Sequence, residues 1–452
     1  MSPLFGNDVW WIVLIKVVGA FVLLLTWTIV NVWFERRVIG KMQNRKGPIM
    51  NGPFGLGQAM GDGVKLLFKE DFRPARTDAL VFNLAPILTA MAAFGAWSVI
   101  PFGGEVQMFG QTTRLQLTDL PVGALMVMAL AGIGFYGFVL AGWSSSGTYS
   151  LLGSMRATAQ LISYELAMGL SLVAVFMYAG TMATSQIVEA QHVPMNLFGF
   201  DVPLPGWYGL LLLPSFVIYG IAMFGETNRQ PFDMPECESE LVSGHLTDYS
   251  GFRYALFFLA EYINMATVSA VAVTLFLGGY GAPWPLNGTF VDQGWFGLLW
   301  FLIKVQLLLF VFVWVRGSVP RVRYDQLMDL GWKVLIPVNL AWITMLALGR
   351  GAAQHNWWSS PIFIGTVAVI LLIVLGAIWF SGREEVDDED EVPALEGEQF
   401  DAFAGGYPVP PMIDSKVLVG VLAAPDDEQP ADRPPAAATT ARRADNTDGA
   451  EG

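Results

Sequence analysis

Acidic residues border or interrupt the apolar stretches of this sequence, where a charge carries a free-energy penalty. Glu165, Glu226 and Glu261 occupy such positions. A charge at mid-bilayer costs about 2.5–3.5 kcal/mol on insertion scales, so each needs a physical reason. Buried carboxyls titrate readily, and a group of them could relay protons. The alternative is a paired polar anchor that exchanges no protons; it is favoured for Lys16 and Lys304, whose long side chains can reach toward water.

A second acidic group lies in the segment 226–248, where Arg229 is the single arginine. A run of charge usually indicates a solvated surface. Here the run separates two apolar stretches and contains Pro and Phe residues, so a structured hairpin of stacked carboxylates fits better.

The elements that position these residues are predicted to be membrane helices. A hydrocarbon core of about 30 Å requires roughly 20 apolar residues, and a span in lipid must be helical to pair its backbone groups. We expect Glu165 at the start of its helix and Glu261 about seven residues inside its helix, roughly 10 Å deep. Nine stretches are long enough or nearly so: 9–34, 79–101, 120–142, 161–182, 207–225, 254–279, 295–315, 333–349 and 361–380.

The distribution of basic residues predicts the orientation of these helices. The loops after the odd-numbered helices carry sixteen Lys and Arg, and those after the even-numbered helices carry two. By the positive-inside rule the basic loops, 35–78, 143–160, 226–253 and 316–333, face the cytoplasm. The N-terminus then lies outside, periplasmic or extracellular, and the C-terminal tail lies in the cytoplasm.

Composition supports a membrane protein with an acidic tail. The chain is 54% hydrophobic and 14% charged, whereas soluble domains carry about 25% charge. Of the net charge of −14, −13 falls in residues 382–452, which are too polar to fold alone. The predicted class is an all-α polytopic membrane protein of about nine helices (1–381) with a disordered acidic tail (382–452). The nearly neutral body gives no electrostatic sign of nucleic-acid binding.

The sequence contains none of the common motifs for a redox or nucleotide cofactor. Cys237 is its only cysteine, which excludes a disulfide framework and a Cys-ligated iron–sulfur cluster on this chain alone. His192, His245 and His355 are scattered, and no phosphate-binding loop or HExxH pattern is present. We therefore expect no metal site, and any electron transfer would depend on prosthetic groups of partner subunits.

The basic segment after the first helix could shape a ligand cavity. Its residues 56–68 have the pattern of a short amphipathic helix at the membrane interface. The alternative is that its basic residues only follow the positive-inside rule for cytoplasmic loops and shape no ligand site. An interfacial helix would leave a cavity suited to an amphipathic ligand with a polar head and an apolar tail.

These stretches together resemble the quinone-chamber membrane subunit (the H subunit) of bacterial respiratory complex I. The resemblance covers roughly residues 9–349 and rests on motifs that occur in the family's order. They are 35–37 (ERR), 43–48 (QNRKGP), 156–165 (RATAQLISYE), 226–233 (ETNRQPFD) with 238–241 (ESEL), 255–262 (ALFFLAEY) and 316–328 (RGSVPRVRYDQLM).

The resemblance implies a proton-pumping NADH:quinone oxidoreductase in a bacterial plasma membrane, with ubiquinone or menaquinone as substrate. FMN and iron–sulfur clusters would reside on partner subunits and none on this chain. The implied partners are the peripheral-arm subunit with the terminal cluster, the adjacent soluble quinone-site subunit, and the small and antiporter-like membrane subunits, all within or beside the lipid bilayer.

The resemblance also implies roles for individual residues. Those expected to line the quinone tunnel are Glu35, Arg36, Arg45, Asp62, Lys65, Arg229, Phe232, Asp233 and Arg316. Those expected on the proton path are Glu165, Glu226, Glu236, Glu238, Glu240, Glu261 and Asp325.

The sequence departs from the family near the tunnel mouth, where Ile49 and Met50 replace the usual Asn-Arg. Two other interpretations stay open at this point. The first is the equivalent subunit of a membrane-bound hydrogenase or another dehydrogenase. The second is a stand-alone ion transporter, against which the absence of internal repeats argues.

Overall fold

A computed structural model describes residues 8–197, 200–234, 241–292 and 294–354, with the single positions 365, 369, 372 and 376. The predicted helix 361–380 is described only at those four positions. The tail 382–452 and the acidic positions 236, 238 and 240 lie outside the described residues.

The helices in chain order are α1 Trp10–Met42, α2 Leu56–Phe68, α3 Ala79–Ala96, α4 Gly123–Ser144, α5 Thr148–Ala179, α6 Thr184–Gln191, α7 Tyr208–Leu211, α8 Leu213–Glu226, α9 Gly251–Phe276, α10 Phe296–Ser318, α11 Tyr324–Asp329 and α12 Ile336–Gln354.

Seven helical segments in the described ranges are long and apolar enough to cross a membrane. They correspond to α1, α3, α4, α5, α9 and α10, and to the continuous stretch Tyr324–Gly351, in which a π-helical turn, Leu330–Leu335, joins α11 to α12. The prediction of a polytopic helical membrane protein is confirmed.

Three predicted boundaries are wrong by eight residues or more. The eighth span begins at Tyr324 and not at 333, so the second half of the predicted loop 316–333 is helical. α1 continues to Met42, so Glu35 and Arg36 lie on the helix and not in the loop after it. α5 begins at Thr148, so the predicted loop 143–160 shrinks to the three residues 145–147. Gly153 shows the reason: a Cβ there would lie 2.6 Å from the backbone of Gly244, so this polar, small-residue turn packs closely against protein.

The predicted span 207–225 is interrupted. Leu212 separates α7 from α8 with a non-helical backbone (φ −111°, ψ 45°), and Pro214 follows in the first turn of α8. Proline lacks the amide hydrogen that a continuous helix would require, so it favours a fresh helix start.

Two pairs of short antiparallel strands accompany the helices in the described ranges, and the all-α prediction omitted them. β1 (Glu105–Met108) pairs with β2 (Gln111–Arg114), and β3 (Pro194–Leu197) pairs with β4 (Phe200–Pro205). Both lie in connections between helices and leave the helical class unchanged.

α9 is the central helix. Its most apolar stretch is 72% buried, against 17–50% for the other candidate spans. It packs against α2, α3, α8 and α10. Residues on α9 can therefore contact several elements at once, which places Glu261 and Tyr262 at a junction.

Candidate functional site

A cluster of charged side chains lies around Glu35 of α1, whose exposed fraction is 6%. The Tyr262 hydroxyl of α9 donates to Glu35 Oε2 at 2.5 Å. Arg316 of α10 forms an ion pair with Glu35 Oε1, and Arg229 Nη1 lies 3.6 Å from the same oxygen. One carboxylate thus joins α1, α9, α10 and the segment that follows α8.

Arg229 extends this cluster to a second carboxylate. Its Nε lies 2.9 Å from Glu261 Oε1, and its guanidinium lies over the Tyr262 ring, 4.5 Å from the centroid. Two carboxylates and two guanidinium groups therefore balance in charge. Buried ions are tolerated in proteins when they are paired in this way.

A small cavity of about 20 Å³ adjoins the cluster, enough for about one water molecule. Glu35, Arg229, Tyr262 and Arg316 contribute to its polar wall. The arrangement can therefore bind a single small polar group beside four hydrogen-bonding side chains.

A larger cavity of about 620 Å³ lies between α1, α2 and α9. Its walls are mostly apolar, and its charged residues are Arg36, Asp62 and Lys65. Arg36 Nη1 lies 2.6 Å from Asp62 Oδ2, and the Gln58 amide donates to Asp62 Oδ1 at 3.1 Å. The lining residues are Leu25, Thr28, Ile29, Val32, Arg36, Ala59, Met60, Asp62, Gly63, Val64, Lys65, Leu66, Leu67, Phe252, Tyr254, Ala255, Phe258 and Leu259.

The short helix α2 closes one side of this cavity, over the same residues that the amphipathic pattern predicted. The turn before it is tied to α1, because Trp33 Nε1 and Arg37 Nη1 both donate to the Phe54 carbonyl at 2.9 Å. Gly55 begins the helix with φ +83°, where a Cβ would clash with the Pro48 carbonyl. Glycine is therefore required for the turn that presses α2 against α1.

Glu165 and Glu261 lie further inside their helices than predicted, whereas Glu226 is the last residue of α8. Glu165 is seventeen residues from the start of α5 at Thr148, about 25 Å along the helix and not at its beginning. Its carboxylate faces Gly132 of α4, 3.4 Å from an ideal Cβ there, and it interacts electrostatically with Glu226. Glu226 is buried, and its Oε2 has no hydrogen-bond partner among the described residues. Glu261 is ten residues inside α9 and not seven.

Buried polar side chains hold the end of α8 next to this region. Gln160 Nε2 donates to the carbonyls of Gly225 and Phe232, at 2.8 and 2.7 Å. The Tyr164 hydroxyl donates to the Leu327 carbonyl at 3.1 Å, and its ring packs 5.4 Å from that of Phe232. These bonds position the adjoining Glu226 and Arg229. The sequence motifs included Gln160 and Tyr164 but did not indicate that these side chains hold the end of α8.

The structure does not bring all predicted site residues together. Arg45 is exposed and donates to Gln43 Oε1 at 2.7 Å, and Asp325 is exposed on α11. Phe232 is buried against Tyr164, and Asp233 follows it, partly exposed. Glu236, Glu238 and Glu240 lie outside the described residues. In the ranges that are described, no group of three or more His, Cys, Asp or Glu could hold a metal ion.

Tyr262 was not singled out in the sequence analysis, and the structure places it in the Glu35 cluster. It was part of a family motif, adjacent to Glu261, but its partner Glu35 is 227 positions away. The signal that could have found it is a tyrosine hydroxyl inside a predicted membrane span, since a buried hydroxyl needs an acceptor.

Comparison with known proteins bears on this arrangement. A family model described as NADH dehydrogenase matches residues 15–347. A Cutibacterium acnes protein, named as the H subunit of NADH-quinone oxidoreductase, is 60% identical over 418 residues, covering 91% of this chain and 94% of the relative. The chain belongs to this family of NADH-quinone oxidoreductase H subunits.

Two further relatives with the same name support this assignment. One from Streptomyces avermitilis is 50% identical over 418 residues, covering 90% of this chain and 88% of the relative. One from Frankia alni is 50% identical over 402 residues, covering 87% and 86%. The resemblance predicted from the motifs is confirmed, and the chain is a membrane subunit of an NADH:quinone oxidoreductase.

Proposed function

We propose that this chain forms the membrane side of a quinone chamber and couples quinone reduction to proton translocation. The observation that carries the proposal is the pair of adjoining features on α1 and α9. An apolar cavity of about 620 Å³ opens beside one face of these helices, and the Glu35 cluster joins them on another.

The larger cavity has the chemistry of an amphipathic ligand site. Its apolar walls can accept an isoprenoid tail, and Arg36, Asp62 and Lys65 give it a polar end. Ligand sites are typically apolar cavities with a few placed polar groups. The quinone tail would lie between α2 and α9, and its headgroup would move toward a polar region shaped by Arg229 and Arg316.

The chemistry of quinone explains the charged cluster. Reduction adds two electrons and requires two protons, so negative charge develops at the headgroup before protonation. A unit charge about 4 Å from another interacts by about 4 kcal/mol at an effective dielectric constant near 20. Charge on the headgroup would therefore weaken the hold of Arg229 and Arg316 on Glu35 and Glu261, and would favour proton uptake by these carboxylates.

The protons would move along the carboxylates of α9, α8 and α5. Glu261, Glu226 and Glu165 provide the described part of this route, supported by the electrostatic interaction of Glu165 with Glu226. We assign Glu236, Glu238, Glu240 and Asp325 to the same route. Arg45, Phe232 and Asp233 would shape the entrance shared with the soluble subunits.

The surroundings of the chain complete the proposal. The chain would lie in a bacterial plasma membrane with its basic loops and its acidic tail in the cytoplasm. There, partner subunits would supply electrons from FMN and iron–sulfur clusters, and small and antiporter-like membrane subunits would receive the proton signal.

Filling the cavity tests its role. Gly63 lines the cavity, and a Cβ there meets nothing within 4 Å, so Gly63→Phe places a ring in open space. Overpacking costs about 1–3 kcal/mol, so we expect the KM for a long-tailed quinone to rise about tenfold.

The matched control is Gly19→Phe on the exposed face of α1, where a Cβ also meets nothing within 4 Å. It should leave the KM unchanged. Equal KM values for parent and Gly63→Phe, in assembled enzyme, would contradict quinone access through this cavity.

A further inference from the structure

The buried ammonium of Lys304 is not used by the proposed quinone chemistry. Lys304 lies on α10 with 7% of its surface exposed. Its Nζ donates to the carbonyl oxygens of Leu277 and Gly279, at 2.6 and 3.0 Å, and lies over the Trp207 ring, 4.7 Å from the centroid. The role of a buried lysine with this many contacts needs an explanation.

The acceptors of Lys304 are carbonyls of the turn that directly follows the end of α9 at Phe276. The last turn of a helix leaves carbonyls without internal partners, and a cation is favourable at this negative end. Gln191 also binds the C-terminal end of α9. Its Nε2 donates to the Thr274 carbonyl at 3.0 Å, and its Oε1 accepts from Gly278 N at 2.9 Å. Lys304 differs in that it ties the end of α9 to α10.

The same two helices are joined a second time at the charged cluster. Glu35 binds Tyr262 of α9 and Arg316 of α10. Along α9, Tyr262 and Leu277 are about 22 Å apart, and along α10, Lys304 and Arg316 are about 18 Å apart. The two helices are thus linked at two levels along their length, and their relative axial position is set by these two links together.

We infer that Lys304 is a positioning residue that fixes the register of α9 against α10, and through it the alignment of Tyr262 and Arg316 on Glu35. The inference rests on the proposed function, because it takes the Glu35 cluster as the site whose geometry governs quinone reduction. Without Lys304, α9 could shift along α10, and the Tyr262 hydroxyl would contribute less.

A double-mutant cycle in the intact enzyme tests this. Independent sites this far apart normally give additive effects, whereas coupled sites do not. Tyr262→Phe should lower kcat/KM for quinone at least about tenfold in the parent, but about threefold or less in a Lys304→Met background. Additive effects would overturn the inference, while no effect of Tyr262→Phe alone would instead contradict the proposed function.

Lys16 provides the matched control. Its side chain is also buried, with 7% exposed. Its ammonium pairs with Asp8 at 2.6 Å near the start of α1, and this ion pair involves neither α9 nor α10. Lys16→Met should combine additively with Tyr262→Phe. Equal coupling in the Lys16 and Lys304 cycles would overturn a role specific to Lys304.

A milder variant is used in case Lys304→Met does not yield assembled enzyme. Lys304→Gln removes the charge but retains an amide donor, so we expect coupling of the same sign and smaller size. If neither Lys304 variant yields assembled enzyme on a native gel, the residue is a folding requirement and the positioning inference is overturned.

Discussion

Replacing Tyr262 with Phe removes one hydroxyl from the charged cluster and keeps the ring in place. The hydroxyl donates to Glu35 at 2.5 Å, and the ring lies under the Arg229 guanidinium and 4.8 Å from Phe258. Hydrogen bonds to charged groups contribute about 1.5–3 kcal/mol. Each 1.4 kcal/mol is a factor of about ten, so we expect kcat/KM for quinone to fall about 10- to 100-fold.

The assay is NADH:quinone oxidoreductase activity of purified enzyme, normalised to assembled complex. Tyr219→Phe is the matched control, because Tyr219 is also fully buried and its hydroxyl donates to a neutral acceptor, the Val268 carbonyl, at 2.8 Å. The control should keep its activity. A Tyr262→Phe enzyme with parental kcat/KM would refute the reasoning that Glu35 and its donors govern the quinone reaction.

Further predictions concern three other parts of the chain. Glu261→Gln and Glu165→Gln should each lower coupled quinone reduction and proton pumping about tenfold while assembly survives, as measured with a pH-sensitive dye in proteoliposomes. Asp62→Asn removes a half-exposed ion pair with Arg36, worth up to about 1 kcal/mol, so the KM should rise by no more than about fivefold with kcat unchanged. Burial between aromatic rings lowers the pKa of His245 from 6.5 to about 4. The native chain therefore binds that proton more weakly than the unfolded chain, and stability should fall as the pH drops from about 6.5 toward 4. His245→Phe should flatten this part of the Tm–pH curve of the purified complex.

Each of these predictions has an outcome that would contradict it. Normal coupled turnover in both glutamine variants would remove Glu261 and Glu165 from the proton route. A large loss of kcat in Asp62→Asn would place Asp62 in the chemistry and not at the cavity wall. Parallel Tm–pH curves for parent and His245→Phe would show that His245 does not titrate with unfolding.

Local patterns predicted some elements with accurate ends. The amphipathic pattern of 56–68 gave the bounds of α2, because an interfacial helix is determined largely by its own sequence, here with Gly55 directly before it. The apolar runs likewise located α3, α4 and α10 to within a few residues. Hydropathy also located the most buried span, α9, to within three residues at each end.

Hydropathy failed for helical turns that are rich in polar and small residues. The first turns of α5 are polar and rich in small residues, so they were predicted as loop, and Glu165 was placed too near a helix end. The contact between Gly153 and Gly244 that stabilises this helical turn joins distant parts of the chain. The pairing of Glu35 with Tyr262 is long-range for the same reason, and only the fold brings the two together.

Photoaffinity labelling in the intact enzyme tests the central claim most directly. A long-tailed quinone with a photoreactive group on its tail would be irradiated in the enzyme, and the labelled peptides identified by mass spectrometry. Labels should fall on α1, α2 and α9 within 25–36, 59–67 and 252–259, and an excess of unlabelled quinone should abolish them. Competed labelling confined to other segments of this chain or to other subunits would contradict the account.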